Sequence, residues 1–215
     1  MGNLRGAMKS YTLPALALVT LAAAAGAQTV PVKRTSANEL FSVGVNYAKA
    51  TNSVEALGGP SGIDTDGYAL DVRASLSGNL FLTASYADLS IDAVGAPDAT
   101  TYTAGLGGKF AAGNGNIEAS YAYRNVEIDA MGDTDQHLIK LGYVLELGNG
   151  LNLGLAVTEI INTEDGLDNV TAPEISVGYK FNQNISANVS FATENTLLGM
   201  PDGGNTVTVG VRYGF

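Results

Sequence analysis

The chain has 215 residues and a formal charge of −10, with 27 Gly, 10 Tyr, no Cys and no Trp. Without Cys it has no disulfide framework, zinc–thiolate cluster or thiol nucleophile. An acidic chain also lacks the basic face that a nucleic-acid backbone requires.

In chain order, the first element is a targeting segment. Arg5 and Lys9 supply a positive start, TLPALALVTLAAAA an apolar run, and Ala25-Gly26-Ala27 an A-x-A cleavage site before Gln28. The run is too short to span a bilayer, so residues 1–27 are expected to be a signal peptide. A polar periplasmic tail, 28–38, precedes the main domain at 39–215. No later run of ~18 apolar residues would hold the exported chain in an inner membrane.

From residue 39 the chain alternates apolar and polar residues. Candidate strands fall at 39–50, 66–77, 80–92, 100–112, 116–129, 134–147, 151–164, 171–182, 185–198 and 205–215, ten in all. Helical periodicity is missing. Ser77-Gly78-Asn79, Gly113-Asn114-Gly115, Gly148-Asn149-Gly150 and Asn182-Gln183-Asn184 are tight turns, whose Gly and Asn tolerate positive φ. Longer acidic connections alternate with them: NSVEALGGPSGIDT, VGAPDA, AMGDT, DGLDN and GMPDGG. Asn79, Asn116, Gly150 and Asn184 recur at nearly even spacing, so each repeat is one long hairpin. Hairpins in series make an up-and-down meander, and closure into a barrel protects both of its edges.

Side chains alternate between faces along a strand. One face carries Phe41, Val43, Val45 and Tyr47, then Tyr68, Leu70 and Val72, and later Ile139, Leu141, Tyr143, Leu151, Leu153, Leu155, Ile175 and Val177. The other is dominated by Gly, Ser, Thr and Asn and is sparse in the Lys and Glu of a water-facing sheet. Tyr47, Tyr68, Tyr86, Tyr102, Tyr123 and Phe191 lie toward the long loops, and Phe41, Phe110, Phe181 and Phe215 toward the tight turns. Two aromatic rims around an aliphatic belt suit the two interfaces of a bilayer. The apolar face is therefore expected to point into lipid.

The last strand, VTVGVRYGF, places Val207, Val209, Val211, Tyr213 and Phe215 on that face. It resembles the C-terminal signature of bacterial outer-membrane β-barrels. With the signal peptide and the strand count, the chain resembles the small single-chain outer-membrane barrels of the OmpA/OmpX and opacity-like group over nearly its whole mature length. The resemblance implies an all-β, transmembrane, up-and-down antiparallel barrel in the outer membrane, with lipid and lipopolysaccharide around it. It also implies that these five residues are read as an assembly signal by the barrel-assembly machinery. Ten strands are expected, and eight if one hairpin is over-read; an even number keeps both termini periplasmic.

Alternation places Asp71, Glu118, Glu146, Glu174 and Glu194 in the lumen with Arg73, Lys109, Arg124, Lys140, Lys180 and Arg212. Two readings stay open: a salt-bridged interior bracing the wall, since charges in a narrow interior must pair or stay hydrated, and a thin hydrated pathway. A second group, Asp64, Asp66, Asp129, Asp133, Asp135, Asp165 and Asp168, forms an acidic extracellular rim that would concentrate cations and attract divalent ions. The one histidine, His137, has Asp133 and Asp135 close by but is expected in the aromatic belt; a general base needs an orienting partner and a pocket, and loops this short could hardly build a substrate cleft. GLGGK at 105–109 lies within a strand, so it is no phosphate loop. No metal or cofactor is implied. The expectation is a non-enzymatic structural or surface barrel, and at most a narrow, weakly cation-preferring pore. The alternatives from other classes are an omptin-like or lipid-modifying hydrolase and an adhesin-type binding protein.

Overall fold

A computed structural model of the protein describes residues 40–53, 61–92, 98–129, 132–164, 167–194, 196–199 and 204–215. The expected signal peptide and periplasmic tail lie outside the described residues, as does Asp165. The described residues form ten strands: β1 (Phe41–Ser53), β2 (Ser61–Ser75), β3 (Leu80–Asp92), β4 (Ala99–Ala112), β5 (Gly115–Ile128), β6 (Gly132–Gly148), β7 (Leu151–Asn162), β8 (Val170–Lys180), β9 (Ile185–Ala192) and β10 (Asn205–Gly214). Each pairs antiparallel with its sequence neighbours, and β1 pairs with β10, closing the barrel. Ten strands, not eight, is the count.

Closure leaves no strand edge to protect. Val43 faces Tyr213, Val45 faces Val211 and Tyr47 faces Val209 across the seam, so the apolar faces of the first and last strands form one surface. Phe215 donates its backbone N–H to the Phe41 carbonyl at 2.9 Å, and the two rings lie 5.7 Å apart.

The turns show why Gly and Asn occupy them. Gly148, Asn149 and Gly150 between β6 and β7 have φ of +86°, +51° and +82°, a path that bulkier side chains rarely follow. All four tight turns lie at the same end of the barrel as Phe41 and Phe215.

The outer surface is an apolar belt between two aromatic rims. Leu70, Leu106, Ile139, Leu155, Ile175 and Val209 are exposed on it. Tyr47 packs on Tyr68 and Tyr86 on Tyr102 at the long-loop rim, with centroids 5.3 and 5.4 Å apart. Tyr179–Phe181 and Tyr213–Phe215 mark the turn end. Such a belt is stable only against hydrocarbon.

β9 departs from expectation. Alternation predicts it to residue 198, but it ends at Ala192, while β10 begins at Asn205. Pro173 on β8 gives the reason. Its carbonyl accepts the Thr193 N–H at 3.1 Å, so its own N–H would have pointed the same way, toward β9. Proline has none, and the ladder stops there. The described residues 196–199 then leave the wall and enter the lumen, as their contacts below show.

Candidate functional site

The lumen has two layers. In the one nearer the turns, charged side chains from facing strands meet. Arg212 pairs with Asp71 and donates to Ser42 Oγ at 3.0 Å, while Asn46 also donates to Asp71. Arg73 grips Glu118 with both terminal nitrogens at 3.3 and 3.4 Å and lies 3.5 Å above the Phe81 ring; Lys109 approaches the same carboxylate at 3.9 Å. Lys140 donates to both oxygens of Glu174 at 3.0 and 3.2 Å, and Asn116 donates to Glu146 at 3.3 Å. A cavity of about 150 Å³ lies beside the second cluster, lined by Glu118, Ser120, Lys140, Gly142, Glu174 and Ser176. Small wall residues make this crowding feasible: a Cβ on Gly107 would stand 2.3 Å from the Phe81 ring.

Of the eleven charged residues that alternation assigns to the lumen, eight meet in these clusters. Lys180 occupies the lumen face opposite Ser186. Glu194 follows the end of β9, and its backbone carbonyl accepts from Thr206 Oγ1 at 2.9 Å. Arg124 is buried in the outer layer, and among the described residues no carboxylate pairs with it.

That outer layer contains an apolar cluster, which alternation did not suggest. Ala87 and Leu89 of β3, Ala99 of β4 and Val126 of β5 turn inward and enclose Leu198, which is 4% exposed. Three polar side chains hold the same segment by its backbone. Arg124 Nη1 donates to the Thr196 carbonyl at 2.6 Å, Gln136 Nε2 to the Leu198 carbonyl at 2.9 Å, and Asn162 Nδ2 to the Gly199 carbonyl at 3.3 Å. They also bond in series, Arg124 Nε to Gln136 Oε1 at 2.7 Å and Gln136 Nε2 to Asn162 Oδ1 at 2.8 Å. At the segment's start, Thr196 N–H donates to Thr206 Oγ1 at 3.1 Å.

The energies oppose one another. Burying Leu198 is worth about 1.5–3 kcal/mol, and each hydrogen bond adds about 0.5–1.5 kcal/mol, more from a guanidinium. Against them, Arg124 Nη2 is buried with no hydrogen-bond partner among the described residues, which costs about 1–3 kcal/mol.

The acidic residues lie higher still, and their register turns several of them outward. Asp135 accepts from the Tyr123 hydroxyl and from Asn125 at 2.9 Å, Asp66 accepts from the Tyr47 hydroxyl at 3.0 Å, and Asp64 pairs with Lys49 at 2.6 Å. Asp133 accepts from Asn125 at 3.3 Å. Asp64, Asp66, Asp133 and Asp135 share the face of the tyrosine belt, not that of the lumen. Asp129 donates its N–H to the Asp98 carbonyl at 3.0 Å, and the Asp168 carbonyl accepts from Asn162 at 2.6 Å. His137 stacks on Tyr121, with 2.7 Å between Nδ1 and the hydroxyl oxygen, on that outward face. Among the described residues no three His, Cys, Asp or Glu are grouped to hold a metal ion.

A closed antiparallel barrel with a polar lumen, an apolar outer belt and two aromatic rims defines an integral β-barrel of the bacterial outer membrane. The sequence matches the model of the Gram-negative porin family over residues 2–166, and the chain belongs to that family. Among solved structures it is similar to Neisserial surface protein A, at 14% identity and a TM-score of 0.42, covering 84% of this chain and 100% of that one. It is similar to the KdgM porin at 10% identity and a TM-score of 0.44, covering 81% and 99%. A loop L8 deletion mutant of OmpT, an outer membrane protein of Vibrio cholerae, aligns at 12% identity and a TM-score of 0.40; the alignment covers 84% of this chain and 61% of that one. No curated protein matches the sequence.

Proposed function

We propose that the protein is a non-enzymatic outer-membrane barrel whose resting lumen is closed, giving it a structural and surface role with little steady ion flow. The observation that carries this reading is the material inside the lumen: Leu198 packs on inward apolar side chains of β3, β4 and β5, and nearer the turns Arg73 pairs with Glu118 and Lys140 with Glu174. Such ion passage as occurs is weakly cation-preferring, because the paired lumen is balanced and only the outer rim has a strong excess of one sign. The outward carboxylates Asp64, Asp66, Asp133 and Asp135 support a second element of the role. They stand just above the tyrosines, level with lipid headgroups, where divalent cations bridge them diffusely to lipopolysaccharide phosphates.

Planar-bilayer recording of the refolded protein tests the reading. The expected trace is quiet, with at most brief small steps. A steady, long-lived conductance in the parent would overturn it.

A further inference from the structure

We infer that Thr196–Gly199 is a reversible gate, latched by Arg124, Gln136 and Asn162, and not a permanent filling of the barrel. The inference rests on the closed-lumen reading above and adds a moving part to it.

Three observations point the same way. First, the segment belongs to no strand. The ladder of β8 and β9 ends at Glu174 and Ala192, before residues 196–199, which lie outside both strands. Second, all three latch residues grip main-chain carbonyls, those of Thr196, Leu198 and Gly199. Water can replace such bonds one for one once the segment lifts. Third, closure itself buries Arg124: the guanidinium lacks a carboxylate among the described residues, and its Nη2 is unpaired. Lifting the segment hydrates that charge, an electrostatic gain that opposes the loss of Leu198 burial. The closed state thus carries a cost that opening removes, as a two-state element requires.

Gly199 lets the gate be broken without touching the wall. Its φ is +68°, and a Cβ there would stand 2.6 Å from Gln136 Nε2 and 2.7 Å from Arg124 Nη2. Gly199→Val is therefore strained in the closed state by its backbone, and its side chain would displace the ends of Gln136 and Arg124 that form the latch. Leu198→Asp removes the apolar anchor independently.

Both variants, in the full-length refolded barrel, are expected to raise single-channel open probability at least tenfold over the parent while keeping its heat-modifiable mobility. The chain has no Cys, so Leu198→Cys gives a second readout that needs no current. A bulky maleimide should label it at least tenfold more slowly than Leu167→Cys, which is on an exposed loop. Folded variants that stay as closed as a closed parent would overturn the gate alone. So would Leu198→Cys labelling as fast as Leu167→Cys. A steadily open parent would instead overturn the closed-lumen reading and the seal together.

Discussion

Leu155→Arg examines the inside–outside assignment most directly. Leu155 is 55% exposed on the outer face of β7, between Tyr143 on β6 and Ile175 on β8. It lies four positions from Leu151, which pairs with Tyr179 of the turn-end rim, and four from Glu159 at the outer rim. At ~3.3 Å per residue and a tilt of about 40°, each distance is about 10 Å along the membrane normal. Leu155 thus sits near the middle of an apolar band about 25 Å tall. An arginine there should cost about 2–4 kcal/mol, a factor of roughly 30 to 700 in the folding equilibrium.

The next residue provides the control. Ala156 faces the lumen, opposite Glu174 and beside the cavity of about 150 Å³ that Glu118 also lines. Ala156→Lys should stay within about 1 kcal/mol of the parent, because those carboxylates receive the ammonium in a partly hydrated space. Reversible denaturant unfolding in lipid vesicles gives both numbers. Equal losses at the two positions, or a Leu155→Arg barrel as stable as the parent, would refute the assignment.

Glu118→Gln leaves Arg73 and Lys109 without their shared carboxylate and should lower stability by about 1–3 kcal/mol; an unchanged denaturation midpoint would show that the pairing does not brace the wall. Phe215→Asp should reduce the amount of heat-modifiable, membrane-inserted protein in cells, and a normal level would count against its role as an assembly signal. In vesicles containing lipopolysaccharide, chelating divalent cations should lower the thermal transition of the parent but not that of a variant with Asp64, Asp66, Asp133 and Asp135 changed to Asn. An equal drop in both would remove the proposed bridging.

What the sequence makes legible here follows from period two. Alternation in VTVGVRYGF and in the Leu-rich stretch of β7 is so strict that lipid and lumen faces separate by inspection, and Gly-Asn turns fix where each hairpin folds. The same alternation conceals the gate. Thr196 and Leu198 have the spacing of one more strand, so residues 193–198 read as wall. Pro173 was the available signal: a proline in a closed barrel marks where one ladder cannot continue. Arg124 is only half legible for a related reason. Its face is right, but no sequence rule reveals that a main-chain carbonyl, and not an acid, waits across the lumen. Leu89 and Val126 interrupt a polar face without disturbing its parity, so they carry no warning that the outer lumen contains an apolar cluster.

The strand count and the gate belong to one geometric argument. Barrel diameter grows with strand number, and eight strands enclose about as much space as side chains alone can fill. Ten enclose more. Near the turns, this chain fills the excess with long charged residues that reach across and pair, Arg73 to Glu118 and Lys140 to Glu174. Toward the mouth many of its inward residues are short, among them Ala48, Ala50, Thr65, Ala99, Ala172 and Thr206, all buried, beside the longer Leu89, Arg124 and Gln136. Thr196–Gly199 covers part of this wall, Leu198 packing on Ala87, Leu89, Ala99 and Val126 and Thr196 donating to Thr206 Oγ1. The small residues of the outer wall and the loop that Pro173 releases are complementary parts of one closure. Enlarging the first should therefore expel the second, while a charge placed on the outer belt should leave it in place.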